Sequence, residues 1–435
     1  MKICVIGLGY VGLTLSTILA DVGFDVVGVE INSKTCEMLR TGKPHIHEPG
    51  LAFLLKKHAN KKLSIVNEIP NDKEVCTYII CVATPVDEKT KRPVTTYVER
   101  ATTEVTKHLK KGDLIILRST VPLGTTNGLV KQTIEKEQAL KVGSDIHLVF
   151  APERTIEGKA LEELRYLPQI IGGVDEESIN KAVAIFGRTT NTIVRVSSLE
   201  AAEIIKQFDN IFRDVNIALG NEFGLACEEL GLNANEIVNA ANMNYPRTKI
   251  MVPGAGVGGA CLTKDPYIFL SQLKKIPENS LIYHSRKINE YMPTHIVEKT
   301  KAAFIKHKKN IKNAKILVFG FAFKGKPETD DTRFSPTYEV VAKLKTLGAE
   351  IYGFDPVVRK EDIEKAAKVA TDYEQAFHDA DCIIIMNNHP RWNEIDIGQY
   401  SKIMKKPAIL IDGWNIFNRQ EIEQLGIDYS GVGIG

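Results

Sequence analysis

At 435 residues the chain is too long for one ordinary hydrophobic core and should divide into about two or three domains. Hydrophobic residues at 43% and charged residues at 25% are the proportions of a soluble globular protein, and no apolar run reaches the roughly 20 residues of a membrane span. A net charge of +2 without a block of like charge excludes a general pull toward nucleic acid, and seven scattered cysteines with no C-x-x-C pair exclude a disulfide framework or a zinc site.

The first predicted strand, Ile3–Ile6, runs into glycines and not into a cleavage site, which argues against a signal peptide and for a cytoplasmic protein. Its continuation, Gly7-Leu8-Gly9-Tyr10-Val11-Gly12, reads as a tight turn opening a helix. Gly7 permits the turn, Gly9 lets the backbone approach a pyrophosphate and Gly12 lets the helix pack close. Alone, the triplet fits an ordinary glycine loop equally well. The second strand, Val26–Val29, leads to Glu30, where a carboxylate bonds a ribose 2′-hydroxyl and repels a 2′-phosphate. This context predicts NAD as the cofactor rather than NADP.

Strands Tyr78–Val82, Leu114–Leu117 and Leu148–Phe150 follow, alternating with helical stretches as in a doubly wound parallel sheet. Thr84–Pro85, Ser119–Thr120 and Pro152–Glu153 stand just past these strands. They suit either loop caps or the rim of a nicotinamide crevice, because ligands of open α/β sheets lie at the carboxyl ends of strands.

From Ser198 to about Leu230 the pattern predicts one long helix, with Ile204, Phe208, Ile211, Val215 and Ala218 at spacings of three and four. Such a helix can carry a domain linker and an oligomer seam. Lys206, Asn210 and Arg213 share a line along it, fitting a solvated face or a polar wall of the cofactor crevice. A Gly/Pro-rich loop, Val252 to Asp265, places Cys261 at what reads as the start of the next helix. A helix N-terminus lowers a thiol pKa and so favours a nucleophile. Cys4, Cys36, Cys76, Cys81, Cys227 and Cys382 read as small hydrophobes.

After a lysine-rich stretch, Lys299 to Lys315, the strands Ile316–Phe319, Ile351–Phe354, Ile383–Met386 and Ala408–Ile411 predict a second α/β unit. The loop after Phe319 lacks the G-x-G-x-x-G turn but carries Lys324, Lys326 and Arg333 ahead of a helix near Pro336. These cations suit a diphosphate or a solvated loop.

Together, GLGYVG, the run Ser119 to Thr125, Pro152–Glu153 with Glu157-Gly158-Lys159-Ala160, K-x-x-x-N on the helix, G-x-G-G-x-C-x-x-K-D and K-P-x-T-D-D-x-R-x-S-P resemble the UDP-glucose/UDP-N-acetylhexosamine dehydrogenase family over essentially the whole chain. The resemblance implies two Rossmann-like doubly wound parallel-sheet domains joined by a central helical domain. Residues 1–197 would bind NAD, 198–298 would form the dimerisation domain with the cysteine loop, and 299–435 would bind UDP. It makes Cys261 the nucleophile that holds an aldehyde as a thiohemiacetal and then as a thioester, consuming two NAD per sugar. Lys206, Asn210, Asp265, Thr120 and Glu153 become the set that orients water and handles protons and oxyanions. Leu8, Tyr10 and Val11 with the three turn glycines, Glu30, Thr84, Pro85, Ser119, Thr120, Glu157, Lys264 and Arg333 fall to the cofactor, Arg333 approaching the partner's. Arg154, Arg213, Val252, Gly254, Gly256, Gly258 and Lys324 or Lys326 fall to the substrate together with Glu153, Lys206 and Asn210, and Arg247 to that of a neighbouring subunit in a homodimer. The segment Phe212 to Glu222, Arg154 and Asn244-Tyr-Pro-Arg247 resemble the N-acetylhexosamine branch, whereas Ala260, Lys264 and Trp414 depart from its usual residues. UDP-N-acetyl-D-mannosamine is the favoured substrate and UDP-N-acetyl-D-glucosamine the next. The alternatives are UDP-glucose, or a non-catalytic NAD-binding redox sensor. No nucleic acid, membrane or metal is expected.

Overall fold

The computed structural model describes residues 1–87, 89–275 and 279–435. It divides into two compact units, Met1–Asn210 with Tyr267–Ile276, and Ile211–Pro266 with Pro277–Gly435.

The first unit is built on β1 (Lys2–Ile6), β2 (Asp25–Val29), β3 (Leu63–Val66), β4 (Val75–Ile80), β5 (Leu114–Leu117), β6 (His147–Phe150), β7 (Gln169–Gly173) and β8 (Ile193–Arg195). Their order is β3-β2-β1-β4-β5-β6-β7-β8, parallel throughout except for the antiparallel pair β6 and β7. Helices on both faces require strands that are apolar on both sides. Alternate residues therefore go to opposite cores: Ile3 and Val5 join Leu13 and Leu15, while Cys4 and Ile6 join Tyr78 and Ile115. The chain winds outward from β1 to β3 and returns to place β4 on the other side of β1. That reversal opens a crevice at the carboxyl ends of β1 and β4.

The expected strand Tyr78–Val82 stops at Ile80. Cys81 and Val82 lie past it, under the glycine turn, where the N–H of Cys81 donates to the Ile6 carbonyl at 2.8 Å. In the second unit β9 (Lys315–Phe319), β10 (Glu350–Phe354), β11 (Lys368–Val369), β12 (Cys382–Ile385), β13 (Ala408–Asp412) and β14 (Ile427–Gly431) form an all-parallel sheet. Its order, β11-β10-β9-β12-β13-β14, repeats the same winding, with the reversal between β9 and β12. Strands β3, β8 and β11 escape the periodicity because they are short edge strands with exposed positions, and β7 because its Gly172–Gly173 end reads as a turn. The lysine-rich stretch fastens the second sheet. Lys309 donates to Asp381 at 2.8 Å and to the Pro407 carbonyl at 3.0 Å, and Lys315 to the carbonyls of Gln375 and His378 at 2.9 and 2.7 Å.

The long helix spans Leu199–Leu230, as its periodicity predicts, and a second helix spans Leu281–Lys306. Phe208, expected on its apolar face, is exposed and meets Phe269 edge-on with ring centroids 5.7 Å apart. Among the described residues no helix is long and apolar enough to cross a membrane.

A buried polar chain joins the two long helices. Arg286 donates to Asp214 at 2.6 Å, Asn289 donates to the Asp214 carboxylate and carbonyl at 2.9 Å, and Asn221 donates to Asn289 at 2.9 Å. Burial pushes the Asp214 carboxyl up, and the Arg286 charge opposes that shift. Breaking one member of a buried pair leaves an uncompensated charge, so Arg286→Met should lower unfolding stability by about 3–5 kcal/mol. Adding Asp214→Asn should recover much of the loss. Denaturant titration checks this, and a double variant no better than the single one would show that charge is not the cause.

Candidate active site

The turn after β1 is shaped by two different needs. Gly7 has φ +89°, a conformation that side chains with a Cβ rarely adopt. A Cβ on Gly12 would collide with the Gly7 carbonyl oxygen, so the helix Tyr10–Asp21 can sit this close only with glycine there. A Cβ on Gly9 meets nothing within 4 Å, and no side chain caps the helix at this residue. Tyr10 and Val11 open a helix whose first-turn amides suit a pyrophosphate, and Leu8 is buried just ahead of it. Glu30, just past β2, accepts the N–H of Leu8 at 3.2 Å and of Asn32 at 3.0 Å. These bonds aim its carboxylate across the turn, where a ribose would lie. The residues fit a dinucleotide.

Around the same crevice, Thr84 donates its hydroxyl to the Thr120 carbonyl, and Ser119 donates to the Val82 carbonyl at 2.7 Å. Pro85 offers its carbonyl to the N–H of Val94 at 2.8 Å. The run from Ser119 is pinned from the long helix by residues that no sequence motif singles out. Glu203 accepts the N–H and hydroxyl of Thr126 at 2.8 and 2.5 Å, and Gln207 donates to the Val121 carbonyl at 2.7 Å.

Glu153, past β6, is buried, and its partner also lies outside every motif. Arg118, 2% exposed at the end of β5, donates to one carboxylate oxygen, while the N–H groups of Arg154 and Thr155 donate to the other at 2.7 and 2.8 Å. Burial alone would raise this carboxyl. The charge of Arg118, the Thr155 amide and the charge of Lys206 bring it below the ordinary glutamate range. Lys206 and Asn210 are buried on the long helix, not solvated, whereas Arg213 is exposed. Arg154 donates to the Pro168 carbonyl at 2.7 Å and pairs with Asp209 at 3.3 Å. Glu157 is half-buried beside Gly158, whose N–H donates to Glu48 at 2.7 Å.

In the second unit the glycine-rich loop is held from both sides. The polar chain described above ends here, with the Gly254 N–H donating to Asn221 at 2.9 Å. A Cβ on Gly254 would come within 3.0 Å of the Trp414 ring, and one on Gly258 within 2.7 Å of the Phe334 carbonyl. Gly256 has φ +119° and lies against Pro293. These glycines let the loop approach protein atoms, so ligand access is not the only reason for them. Trp414 is anchored by its ring N–H to the Met386 carbonyl at 3.0 Å. Val252 is exposed at the loop's start, and the N–H of Gly259 donates to the Arg333 carbonyl at 3.0 Å.

Cys261 is an exposed thiol, whereas the other cysteines are buried or half-buried. The helix begins four residues later, at Asp265, and the N–H of Asp265 donates to the Cys261 carbonyl at 2.9 Å. The thiol therefore sits one turn ahead of the helix expected to carry it. Lys264 pairs with the buried Asp265. Past β9, at the switch point of the second sheet, the Gly325 and Lys326 N–H groups both donate to Asn388 at 3.0 Å. The Lys324 ammonium lies 5.5 Å from the Phe323 ring, Lys326 is exposed, and Arg333 pairs with Asp331 at 2.7 Å. Arg247 is exposed, stacked 4.5 Å from the Tyr245 ring.

Residues 1–190 match the NAD binding domain of the UDP-glucose/GDP-mannose dehydrogenase family, residues 200–291 its central domain and residues 317–419 its UDP binding domain. A UDP-N-acetyl-D-mannosamine dehydrogenase of Pyrococcus horikoshii is 37% identical to the chain, with all of both covered. The solved structure of a UDP-D-ManNAc dehydrogenase from P. horikoshii is similar at TM-score 0.92 and 36% identity, again over all of both chains. A UDP-glucose dehydrogenase structure from Pyrobaculum islandicum is similar at TM-score 0.86 and 26% identity, covering 100% of this chain and 98% of that one.

The placement of Glu30 generates a test. A carboxylate beside a 2′-phosphate costs several kcal/mol, so Glu30→Ala should improve NADP affinity relative to NAD by about tenfold or more. Titration of both dinucleotides measures it. An unchanged ratio would remove Glu30 from cofactor selection.

Proposed function

The chain belongs to the UDP-glucose/GDP-mannose dehydrogenase family and is an NAD-dependent UDP-sugar dehydrogenase, and we propose that it oxidises the C6 alcohol of UDP-N-acetyl-D-mannosamine to a carboxylate through a thioester on Cys261. The observation that carries this reading is the exposed Cys261 thiol in a glycine loop tied at Gly254 and Gly259. The full-length similarity to a relative named for that sugar supports the choice of substrate.

Bound at the Gly7–Gly12 turn, NAD supplies the oxidant, one equivalent for each of two oxidations. Cys261 adds to the C6 aldehyde as a thiohemiacetal, which prevents its escape, and oxidation of that adduct gives a thioester. Water then attacks the thioester carbon, and the thiolate leaves. Thr120, Glu153, Lys206, Asn210 and Asp265 are assigned to holding that water and stabilising the oxyanion. Ser119, Thr84, Pro85, Glu157, Lys264 and the partner's counterpart of Arg333 are assigned to the cofactor. Arg154, Arg213 and the loop from Val252 to Gly258 are assigned to the sugar and uridine, and Lys324 or Lys326 to the diphosphate.

The protein acts in the cytoplasm as a homodimer through its central region, residues 198–298, between an NAD domain of 1–197 and a UDP domain of 299–435. Support for the dimer comes from Phe212, Leu219, Phe223 and Leu230, exposed at spacings of seven, four and seven along one face of the long helix. Exposed Arg247 would reach the neighbour's substrate.

Turnover of UDP-N-acetyl-D-mannosamine should exceed that of UDP-glucose and UDP-N-acetyl-D-glucosamine by about tenfold or more in kcat/KM, with two NADH formed per sugar. Equal turnover of UDP-glucose would overturn the substrate assignment. Cys261→Ser should abolish the full oxidation while retaining NAD and UDP-sugar binding, because a hydroxyl is far less ionised than a thiol. Uronate formation at the wild-type rate in that variant would sink the thioester route.

A further inference from the structure

We propose that Arg118 is a positioning residue for the oxidation: its guanidinium fixes the Glu153 carboxylate as a standing anion that accepts hydrogen bonds and does not carry a proton. The proposal rests on the reading that Glu153 belongs to the active site.

Both terminal nitrogens of the guanidinium are engaged. One terminal nitrogen donates to Glu153, and the other donates at 2.9 Å to both the Ala151 carbonyl and Gln169. Gln169 is itself tied to the carbonyls of Pro152 and Ile170 at 3.1 and 2.8 Å. The face of the guanidinium lies 5.2 Å from the Phe186 ring. Arg118 thus gathers the ends of β5 and β6, the start of β7 and the helix Glu176–Phe186 around one carboxylate.

The groups bonded to that carboxylate, Arg118 and the amides of Arg154 and Thr155, can only donate. A carboxylate has about four acceptor positions, so these three bonds leave room for one more donor. A protonated Glu153 would have only that fourth position for its O–H and would accept the three bonds more weakly, so all three favour the anion. The charged and titratable neighbours point the same way. Arg118 and Lys206 favour the anion, and Arg154 stands beside it. Glu163 stands in the same cleft, its carboxylate accepting the Ile156 N–H at 2.7 Å, and opposes the anion against these three cations. Cys81, whose thiol feels the Glu153 charge, is pushed up to about 12 by burial and adds no charge. Protons released in the reaction therefore leave through water, which Glu153 orients by accepting from it.

The test compares Arg118→Gln, Arg118→Lys and Glu153→Gln by kcat/KM between about pH 5 and pH 8, and by unfolding midpoint of the protein without ligands. Without the guanidinium, burial acts on Glu153 with less opposition and its pKa rises. Once that pKa exceeds the working pH, each further rise by one lowers the anionic fraction about tenfold. Arg118→Gln should lose activity at about pH 5 by roughly tenfold more than at about pH 8. Arg118→Lys, which keeps the charge but not the fork, should restore the acid-side activity without the full rate.

The ligand-free readout follows from linkage. In the wild type the carboxyl is held below its unfolded value, so its contribution is present above the unfolded glutamate pKa of about 4.3 and is lost as pH falls through the folded one. Raising it in Arg118→Gln should widen the gap in unfolding midpoint as pH rises from about 4 to about 7. Losses of equal size at every pH in both readouts would make Arg118 a structural brace and overturn the proposal. Should Arg118→Gln not fold, the unfolding midpoint of Glu153→Gln decides: a wild type that gains on this variant as pH rises from about 4 to about 7 supports the standing anion, and one that does not gain contradicts it. Wild-type activity in Glu153→Gln would instead refute the active-site reading of Glu153, whatever the pH profile of the Arg118 variants.

Discussion

The second unit depends on the requirement that polar groups removed from water be bonded. Arg286, Asp214, Asn289 and Asn221 are all buried, and hydrogen bonds run from one to the next until the chain ends on the Gly254 amide. An unmade bond in such a place costs about 1–3 kcal/mol, and more for a charge. The loop bearing Cys261 is therefore held by the same bonds that hold two long helices together. A loop fixed in this way needs little ordering when a ligand arrives.

The first unit meets the same requirement with different groups. Glu153 is buried against Arg118, and Glu203 is buried against the Thr126 amide and hydroxyl. The two carboxyls diverge in consequence. Glu153 has a full counter-charge and is lowered, whereas Glu203 has mainly neutral donors and is raised by burial. One is held as an anion at the end of β6, and the other clamps the loop after β5. Both sheets repeat the same reversal of winding, so each has a switch point at the carboxyl ends of its central strands, where ligands of open α/β sheets lie. The first fills that place with glycines and a carboxylate for a dinucleotide. The second fills it with Lys324, Lys326 and a backbone held by Asn388.

Along the chain, the periodic features are those that local chemistry decides. The alternation of β-branched runs with helices, the 32-residue helix Leu199–Leu230, the turn of Gly7 to Gly12 and the placement of Glu30 after β2 were all legible, because each depends on neighbours within a few residues or on a known spacing. The motif spacings also carried the family, and with it NAD and a UDP-sugar. What the chain alone could not show was which polar residues are paired. Arg118 and Glu153 lie 35 positions apart, and Asn221 and Asn289 lie 68 apart. Lys206 and Asn210 fitted a solvated stripe until packing buried them, and nothing in the glycine-rich run showed that Trp414 and Phe334 are neighbours of Gly254 and Gly258. The hydrogen bond, the desolvation of a charge and the close approach of two backbones all depend on groups brought together across the fold. Tertiary structure alone decides those partners, because no local preference encodes the burial that makes a missing one costly.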